Sequence, residues 1–258
     1  MSAIGVIGTA SGFIIGADGR IRFDDESRAT ADAAALAKET EEAQKIWEIA
    51  GPDRTLGYAL TGLVVNSRGF DLLTIMREQV QSIGCHDFHN CYEYLRALAR
   101  EVGGAINEAK RTGMIPAFPE VDHVEESTAW KLADVVVCGY FKRCPSLLQV
   151  RFFHFNQIAN SRLIQYPAEY TLLFGSIVVE RAMYSDNSPF TKYVAEPIKG
   201  LRSPTLDEAA QFVQGYLEAC KSPLALQMDP DVCKTIGGHI HVAELTPAGL
   251  RWRIPPRS

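Results

Sequence analysis

Short apolar segments that alternate with tight turns constrain the fold of this chain more than any other feature. In chain order these strand-like segments are IGVIGTASG, GFIIGADGR, KIWEIAG, LGYALTGLVV, LADVVVCGYF, SLLQVRFFHF, RLIQYPAEY, GGHIHVAEL and GLRWRIP. Gly, Pro and Asp punctuate the joints, as in the GPDR turn. Because antiparallel strands can be joined by such short turns and parallel strands cannot, the pattern predicts antiparallel sheets.

Helical periodicity interrupts the strands twice. Apolar residues recur at helical spacing in FDLLTIMREQVQSI and YLRALAREVGGAINEAKR, and again in TLDEAAQFVQGYLEAC, where Thr205 and Glu208 predict a capping box. FGSIV predicts a junction from strand to helix. The order of strands, two helices, strands, helices and strands predicts an α+β fold, a four-layer αββα sandwich of two antiparallel sheets between helical layers.

We expect a single domain over residues 1–258, because no linker, repeat or low-complexity tract divides the 258 residues. An acidic insert at about residues 24–44 and a basic, solvated C-terminal tail at about 251–258 are its irregular parts. ATADAAALAKETEEAQ within the insert favours either a helix or a mobile segment.

Composition limits the partners and the location. The net charge of −5 and the absence of a basic stripe argue against nucleic acid. No secretory signal and no apolar run of membrane-spanning length is visible, and six scattered cysteines are expected to be reduced, so the sequence predicts a cytoplasmic protein without a membrane partner. GVIGTASG lacks the context of a nucleotide-binding loop, and we expect no cofactor.

Two histidine-containing stretches raise the question of a metal. CHDFHNCY brings together Cys85, His86, His89 and Cys91, but the spacing differs from common zinc-binding patterns and favours a turn between helices. GGHIHV alternates His239 and His241 on one strand face, which favours a cross-strand or interface role over ligation. We therefore predict no metal site.

Five of these motifs, taken in order, resemble one enzyme family. GFIIGADGR, KIWEI, YALTGLVV, VVVCGY and FGSIVV are similar in order and spacing to the proteasome-type branch of the N-terminal nucleophile (Ntn) hydrolases, over about residues 2–252. The resemblance implies that the mature chain begins at its nucleophile. Counting back from the aspartate of ADGR places that nucleophile at Ser2, after removal of Met1.

The resemblance also implies the roles of further residues. Its catalytic set would be the nucleophile, a lysine with its supporting aspartate, an oxyanion-hole glycine and a nearby serine, namely Ser2, Lys45, Asp18, Gly62 and Ser176. Arg20, Arg22 and Leu60 would lie at the substrate site, with Leu60 near the floor of an apolar pocket. The α-amino group of Ser2 would act as the general base, since its pKa of about 7.7–8.0 leaves a neutral fraction at physiological pH.

Several departures from the family pattern keep more than one function open. Serine replaces the usual threonine nucleophile, and Arg22 replaces a backbone-binding threonine. The aspartate and serine that support the terminal amine fall at Cys233 and Ile236, although Asp231 stands close by. The resemblance thus implies a peptide or amide hydrolase, and the alternatives are an inactive scaffold or assembly subunit and a non-proteolytic amidase. It also implies a homo-oligomer, such as a ring, and leaves an ATPase partner undefined.

Overall fold

The structure is a computed structural model, and it describes residues 2–23, 29, 33, 38–115, 130–155, 158–194 and 204–257. Within these ranges, ten strands form two five-stranded sheets in which every pair of neighbours is antiparallel, as the short turns predict. Sheet I, in the order β10-β9-β2-β1-β8, contains β1 (Ile4–Thr9), β2 (Gly12–Asp18), β8 (Thr171–Phe174), β9 (Ile240–Thr246) and β10 (Gly249–Ile254).

Sheet II has the order β3-β4-β5-β6-β7 and takes its strands consecutively from the chain. They are β3 (Ile46–Gly51), β4 (Arg54–Gly62), β5 (Trp130–Phe141), β6 (Cys144–Phe155) and β7 (Ile158–Tyr166). Six helices occur in the described residues: α1 (Leu72–Ile83), α2 (Cys91–Arg111), α3 (Ile177–Met183), α4 (Leu206–Lys221), α5 (Pro223–Met228) and α6 (Pro230–Cys233).

Three apolar cores show that the layers are ordered helix, sheet, sheet, helix. One core lies between the two sheets, a second packs α1 and α2 against sheet II, and a third packs α3 to α6 against sheet I. Strands β1 and β2 are buried along their whole length because both faces of sheet I are covered. The predicted α+β, four-layer αββα sandwich is confirmed.

Helix α4 illustrates how the sequence specifies this packing. Thr205 and Glu208 form the predicted capping box, in which each side chain accepts a hydrogen bond from the backbone of the other. The helix crosses β2 closely at Gly16, where an added Cβ would lie only 2.4 Å from a methyl carbon of Val213. Glycine at that position therefore sets the distance between α4 and sheet I.

The irregular segments differ in part from expectation. Residues 251–254, expected to belong to a solvated tail, form part of β10, where Arg251 and Arg253 are paired with Glu244 of the neighbouring strand. Most of the predicted insert lies outside the described residues. Of the stretch that favours a helix or a mobile segment, the continuous described part is residues 38–44, and it belongs to no helix. Its base is described, and there an antiparallel bridge joins Ile21 to Thr40.

Candidate active site

Asp18, the last residue of β2, is fully buried and organises the candidate site through backbone hydrogen bonds. Its Oδ1 accepts the N–H of Ala3 at 2.8 Å, and its Oδ2 accepts the N–H groups of Gly237 at 3.1 Å and Arg20 at 3.3 Å. A single carboxylate therefore joins three chain segments that are far apart in sequence.

Lys45 reaches the same carboxylate from the chain segment just before β3. It is 1% exposed, and its Nζ lies 2.8 Å from Ser2 Oγ and 3.3 Å from Asp18 Oδ1. The same ammonium also donates to the carbonyl of Arg20. Burial lowers the pKa of Lys45 from its ordinary value, and the charge of Asp18 opposes that shift. The structure thus brings together Ser2, Asp18 and Lys45, three of the residues that the sequence singled out.

His241 supports the backbone of this lysine, a role that the sequence did not reveal. Its Nε2 accepts the backbone N–H of Lys45 at 3.0 Å, and its ring contacts Trp252 edge to face. Burial, and next the charge of Lys45, lower the pKa of His241 to about 3, so the imidazole is neutral at physiological pH. The alternating histidines favour a cross-strand or interface role for this strand face, and they do not indicate a contact with Lys45.

Thr61 holds Ser2 from the other side. The Ser2 N–H donates to Thr61 Oγ1 at 3.1 Å, and the Thr61 hydroxyl donates to the Ser2 carbonyl oxygen at 3.2 Å. Gly62 follows directly with φ of +106°, and an added Cβ there would lie 2.4 Å from the Leu132 carbonyl oxygen. This backbone conformation is accessible to glycine and strained for other residues. The proposed oxyanion-hole glycine therefore lies next to the residue that contacts Ser2.

Ser176 lies at the start of α3, as FGSIV predicts, and its described bonds lead away from Ser2. Its Oγ donates to Asp229 Oδ2 at 2.6 Å and accepts the N–H of Val179 at 3.2 Å, as an N-cap does. Asp229 was not singled out from the sequence, because nothing in its neighbourhood distinguishes it from Asp231.

The turn before β9 carries the departures from the family pattern. Asp231 is highly exposed and pairs with Lys234 at 3.3 Å, so it does not replace the missing aspartate. Cys233 and Ile236 are buried, and burial raises the pKa of the Cys233 thiol. Neither side chain offers the terminal amine a strong acceptor.

The three residues expected at the substrate site occupy two different environments. Arg20 bonds both carboxylate oxygens of Glu41, at 3.0 and 2.8 Å, and Arg22 pairs with the same carboxylate. Leu60 is instead fully buried in the core between sheet II and helices α1 and α2. Its side chain lies on the face of β4 opposite to that of Thr61.

The cysteine and histidine residues before α2 do not converge. Cys85 Sγ is 3.8 Å from His86 Nδ1 at an exposed turn, whereas Cys91 is buried as the first residue of α2. His239 Nε2 donates to the Pro255 carbonyl oxygen at 2.8 Å. Throughout the described ranges, no group of three or more His, Cys, Asp or Glu side chains is arranged to hold a metal ion.

Comparison with known proteins identifies the class of fold. No protein-family model matches the chain, and no curated protein matches it in sequence. Solved structures do match: the chain is similar to Anbu (ancestral beta-subunit) from Yersinia bercovieri, with 15% identity, a TM-score of 0.55, and coverage of 97% of this chain and 86% of that one. The chain therefore has a proteasome-like fold.

Two further Anbu structures agree. The Anbu Gly-1 mutant from Hyphomicrobium sp. strain MC1 gives 15% identity and a TM-score of 0.55, covering 98% of this chain and 85% of that one. The helical assembly of the Anbu complex from Pseudomonas aeruginosa gives 12% identity and a TM-score of 0.56, covering 99% and 88%. The particular proteins whose fold this chain shares are thus the Anbu proteins. No helix in the described part of the chain has the length and apolar character to cross a bilayer.

Proposed function

We propose that this protein is a proteasome-like hydrolase that cleaves peptide or amide bonds with Ser2 as its N-terminal nucleophile, after Met1 is removed. The observation that carries the proposal is the 2.8 Å contact between Lys45 Nζ and Ser2 Oγ, with Asp18 behind the lysine. A buried ammonium beside a hydroxyl stabilises the alkoxide and so activates the nucleophile.

The reaction begins when Ser2 Oγ attacks the carbonyl carbon of the substrate. Its proton passes to the neutral α-amino group of Ser2, directly or through a water molecule. The backbone N–H of Gly62 stabilises the oxyanion, a contribution of about 3–4 kcal/mol for one good donor. The C–N bond then breaks, and the leaving amine takes the proton from the α-amino group.

Water completes the cycle by hydrolysing the ester on Ser2. The α-amino group removes a proton from the attacking water, and the released Ser2 Oγ is protonated again as the carboxylic acid departs. Asp18 is not consumed in either half-reaction. Its part is to hold Lys45 in place and to balance its charge.

Self-association belongs to the same proposal. The Pseudomonas aeruginosa Anbu complex forms a helical assembly. Helix α3 and helix α5 leave apolar side chains exposed, namely Ile177, Val178, Leu226 and Met228. These residues favour a homo-oligomer of this chain as well.

A catalytically silent scaffold subunit is the second candidate. Cys233 and Ile236 favour it, because they stand where the family pattern supplies support for the terminal amine. The two candidates differ in one chemical property, which is whether Ser2 is reactive.

Intact mass and active-site labelling distinguish these candidates. We expect purified protein to have lost the mass of Met1 and to be labelled on Ser2 by a peptidyl epoxyketone or vinyl sulfone. Lys45→Ala should abolish labelling, and Lys38→Ala, which changes an exposed lysine paired with Asp71, should not. A retained Met1 would contradict the hydrolase, and labelling that persists in Ser2→Ala would place the nucleophile elsewhere.

A further inference from the structure

We propose that Thr61 is the positioning residue that anchors the α-amino group of Ser2 once Met1 has been removed. This inference rests on the proposed function, since it concerns the base of that same reaction. It assigns the support of the amine to a residue near the end of strand β4. In the structure the Ser2 N–H already donates a hydrogen bond to Thr61 Oγ1.

The two hydrogen bonds between Thr61 and Ser2 fix the direction of the hydroxyl. Because the Thr61 O–H donates to the Ser2 carbonyl at 3.2 Å, a lone pair of Oγ1 is left to face the Ser2 nitrogen at 3.1 Å. Both residues are buried, so bulk water competes little for either bond. Thr61 is β-branched, which restricts its χ1 rotation and keeps this geometry.

Ser2 is consequently held at three atoms. Lys45 binds its Oγ, and Thr61 binds its nitrogen and its carbonyl oxygen. Removal of Met1 converts that nitrogen from an amide to an amine, which keeps N–H donors and gains a lone pair. With one N–H directed at Thr61, rotation about the N–Cα bond is restricted, and the lone pair keeps a defined position relative to Oγ.

The turn that carries Cys233 and Ile236 offers no substitute for this contact. Ile236 has no polar side-chain atom, and Asp231 is exposed and paired with Lys234. Asp229 is engaged by Ser176. Thr61 thus supplies a side-chain acceptor that Cys233 and Ile236 do not.

The contact also has an electrostatic consequence. An acceptor beside an amine favours its charged form and raises its pKa, whereas the neighbouring Lys45 ammonium lowers that pKa. Among the described residues, Lys45 contacts Ser2, and Asp18 contacts Lys45. Asp134 is the cross-strand partner of Thr61 and is itself paired with Lys131 and Arg151. Thr61→Val leaves all of these charged groups in place, so it isolates the effect of the hydroxyl.

The test uses the full chain beginning at Ser2, released from an N-terminal ubiquitin moiety so that the amine is present in every variant. The pKa of the Ser2 amine is measured from the pH dependence of its acetylation by acetic anhydride, read by peptide mass. We expect Thr61→Val to lower this pKa enough to change the proton affinity about threefold or more, and Thr61→Ser to restore it. Thr55→Val provides the same substitution elsewhere on β4 as the control.

Turnover of a peptide substrate gives a second readout. In Thr61→Val we expect kcat to fall about tenfold with little change in KM, and the acid limb of the pH–rate profile to move to lower pH. Thr61→Ser should again recover both. Thr61→Ala serves if the valine variant is poorly folded, as judged by its melting temperature.

The outcomes separate this inference from the proposed hydrolase. If the wild-type protein hydrolyses no substrate but Thr61→Val still lowers the amine pKa, the proposed hydrolase activity is refuted and the role of Thr61 is supported. If hydrolysis is found but Thr61→Val leaves the amine pKa and kcat unchanged, the role of Thr61 is overturned and the hydrolase proposal is retained. Equal effects of Thr61→Val and Thr61→Ser would indicate a packing role and would also overturn it.

Discussion

Lys45 Nζ and Ser2 Oγ lie 2.8 Å apart in the folded protein although 43 positions separate them in the chain. Asp18 Oδ1 lies 3.3 Å from the same Lys45 Nζ, and both side chains are almost wholly removed from solvent. A buried ion pair of this kind is costly to break, because the remaining partner is left charged in a medium of low dielectric constant.

Replacing Lys45 by methionine should therefore affect both stability and chemistry. We expect Lys45→Met to lower the free energy of unfolding by about 3–5 kcal/mol, because Asp18 keeps its charge without its partner. Urea denaturation measures the loss. The double variant Lys45→Met/Asp18→Asn should recover part of it, and Lys38→Met should change stability little. Equal stability of Lys45→Met and wild type would contradict a buried charge at Asp18.

Acid should destabilise the protein through His241. Its pKa is about 3 when folded and lies near 6.5 in an unfolded chain, so between these values only the unfolded state takes up the proton. Stability therefore falls as the pH decreases through this window, by up to about 1.4 kcal/mol per pH unit.

The contribution of His241 is measured by urea denaturation between pH 7 and pH 5. His241→Gln, whose amide oxygen can still accept the Lys45 N–H, should show a smaller loss over this range. His239→Gln, two residues away and more exposed, should retain the wild-type slope. If the stability of His241→Gln falls with decreasing pH as steeply as that of the wild type, another group is responsible for the loss of stability in acid.

Alkaline pH should destabilise the fold through buried thiols. Burial raises the pKa of Cys91 and Cys220 to about 12, above the ordinary value of 9.0. From about pH 9 upward the unfolded chain loses these protons while the folded chain keeps them, so stability falls with rising pH.

Each thiol can contribute up to about 1.4 kcal/mol per pH unit to this loss. Cys220→Ala should reduce the slope measured between pH 9 and pH 10, although it also removes some packing at neutral pH. Cys85→Ala, at an exposed position, should leave the slope unchanged. An unaltered slope in Cys220→Ala would refute the assignment.

Two glycine-to-alanine changes should act in opposite directions. Gly104 lies in the exposed part of α2, where an added Cβ meets nothing within 4 Å, so Gly104→Ala should stabilise the protein by about 0.5–1 kcal/mol. At Gly237 an added Cβ would lie 2.4 Å from the Arg20 guanidinium carbon. Gly237→Ala should therefore displace Arg20 and disturb the N–H that Asp18 accepts.

Thermal denaturation and Ser2 labelling check the two glycine variants together. We expect a higher melting temperature with unchanged labelling for Gly104→Ala, and a lower one with reduced labelling for Gly237→Ala. Wild-type behaviour of Gly237→Ala would mean that the arginine moves aside at no cost.

The fold could be predicted from the sequence because its signals are local. Alternation, turn residues and the Thr205 cap each define one element, and the order of elements limits how they can pack. The double glycine Gly103-Gly104 shows the opposite case. Two consecutive glycines disfavour a helix, yet α2 runs through them without a break, and an added Cβ would meet nothing within 4 Å at either position.

The site was only half visible in the sequence. Ser2, Asp18 and Lys45 carry groups whose chemistry draws attention, and counted spacing relates them. Thr61 and His241 reach the site because of strand register and the stacking of the two sheets. Neither feature can be read from the residues that flank them in the sequence. Leu60, expected near the floor of an apolar pocket, is a fully buried residue of the core that α1 and α2 form with sheet II.

The antiparallel bridge between Ile21 and Thr40 closes the base of the chain segment between them. Ser2, Asp18 and Lys45 all lie outside that segment. Arg20 and Glu41 form an ion pair beside this bridge. Lengthening a loop closed in this way costs little, about 0.6 kcal/mol for each doubling. Changes in the length of the segment between Ile21 and Thr40 should therefore be tolerated without altering Ser2, Asp18 and Lys45, the residues proposed to form the active site.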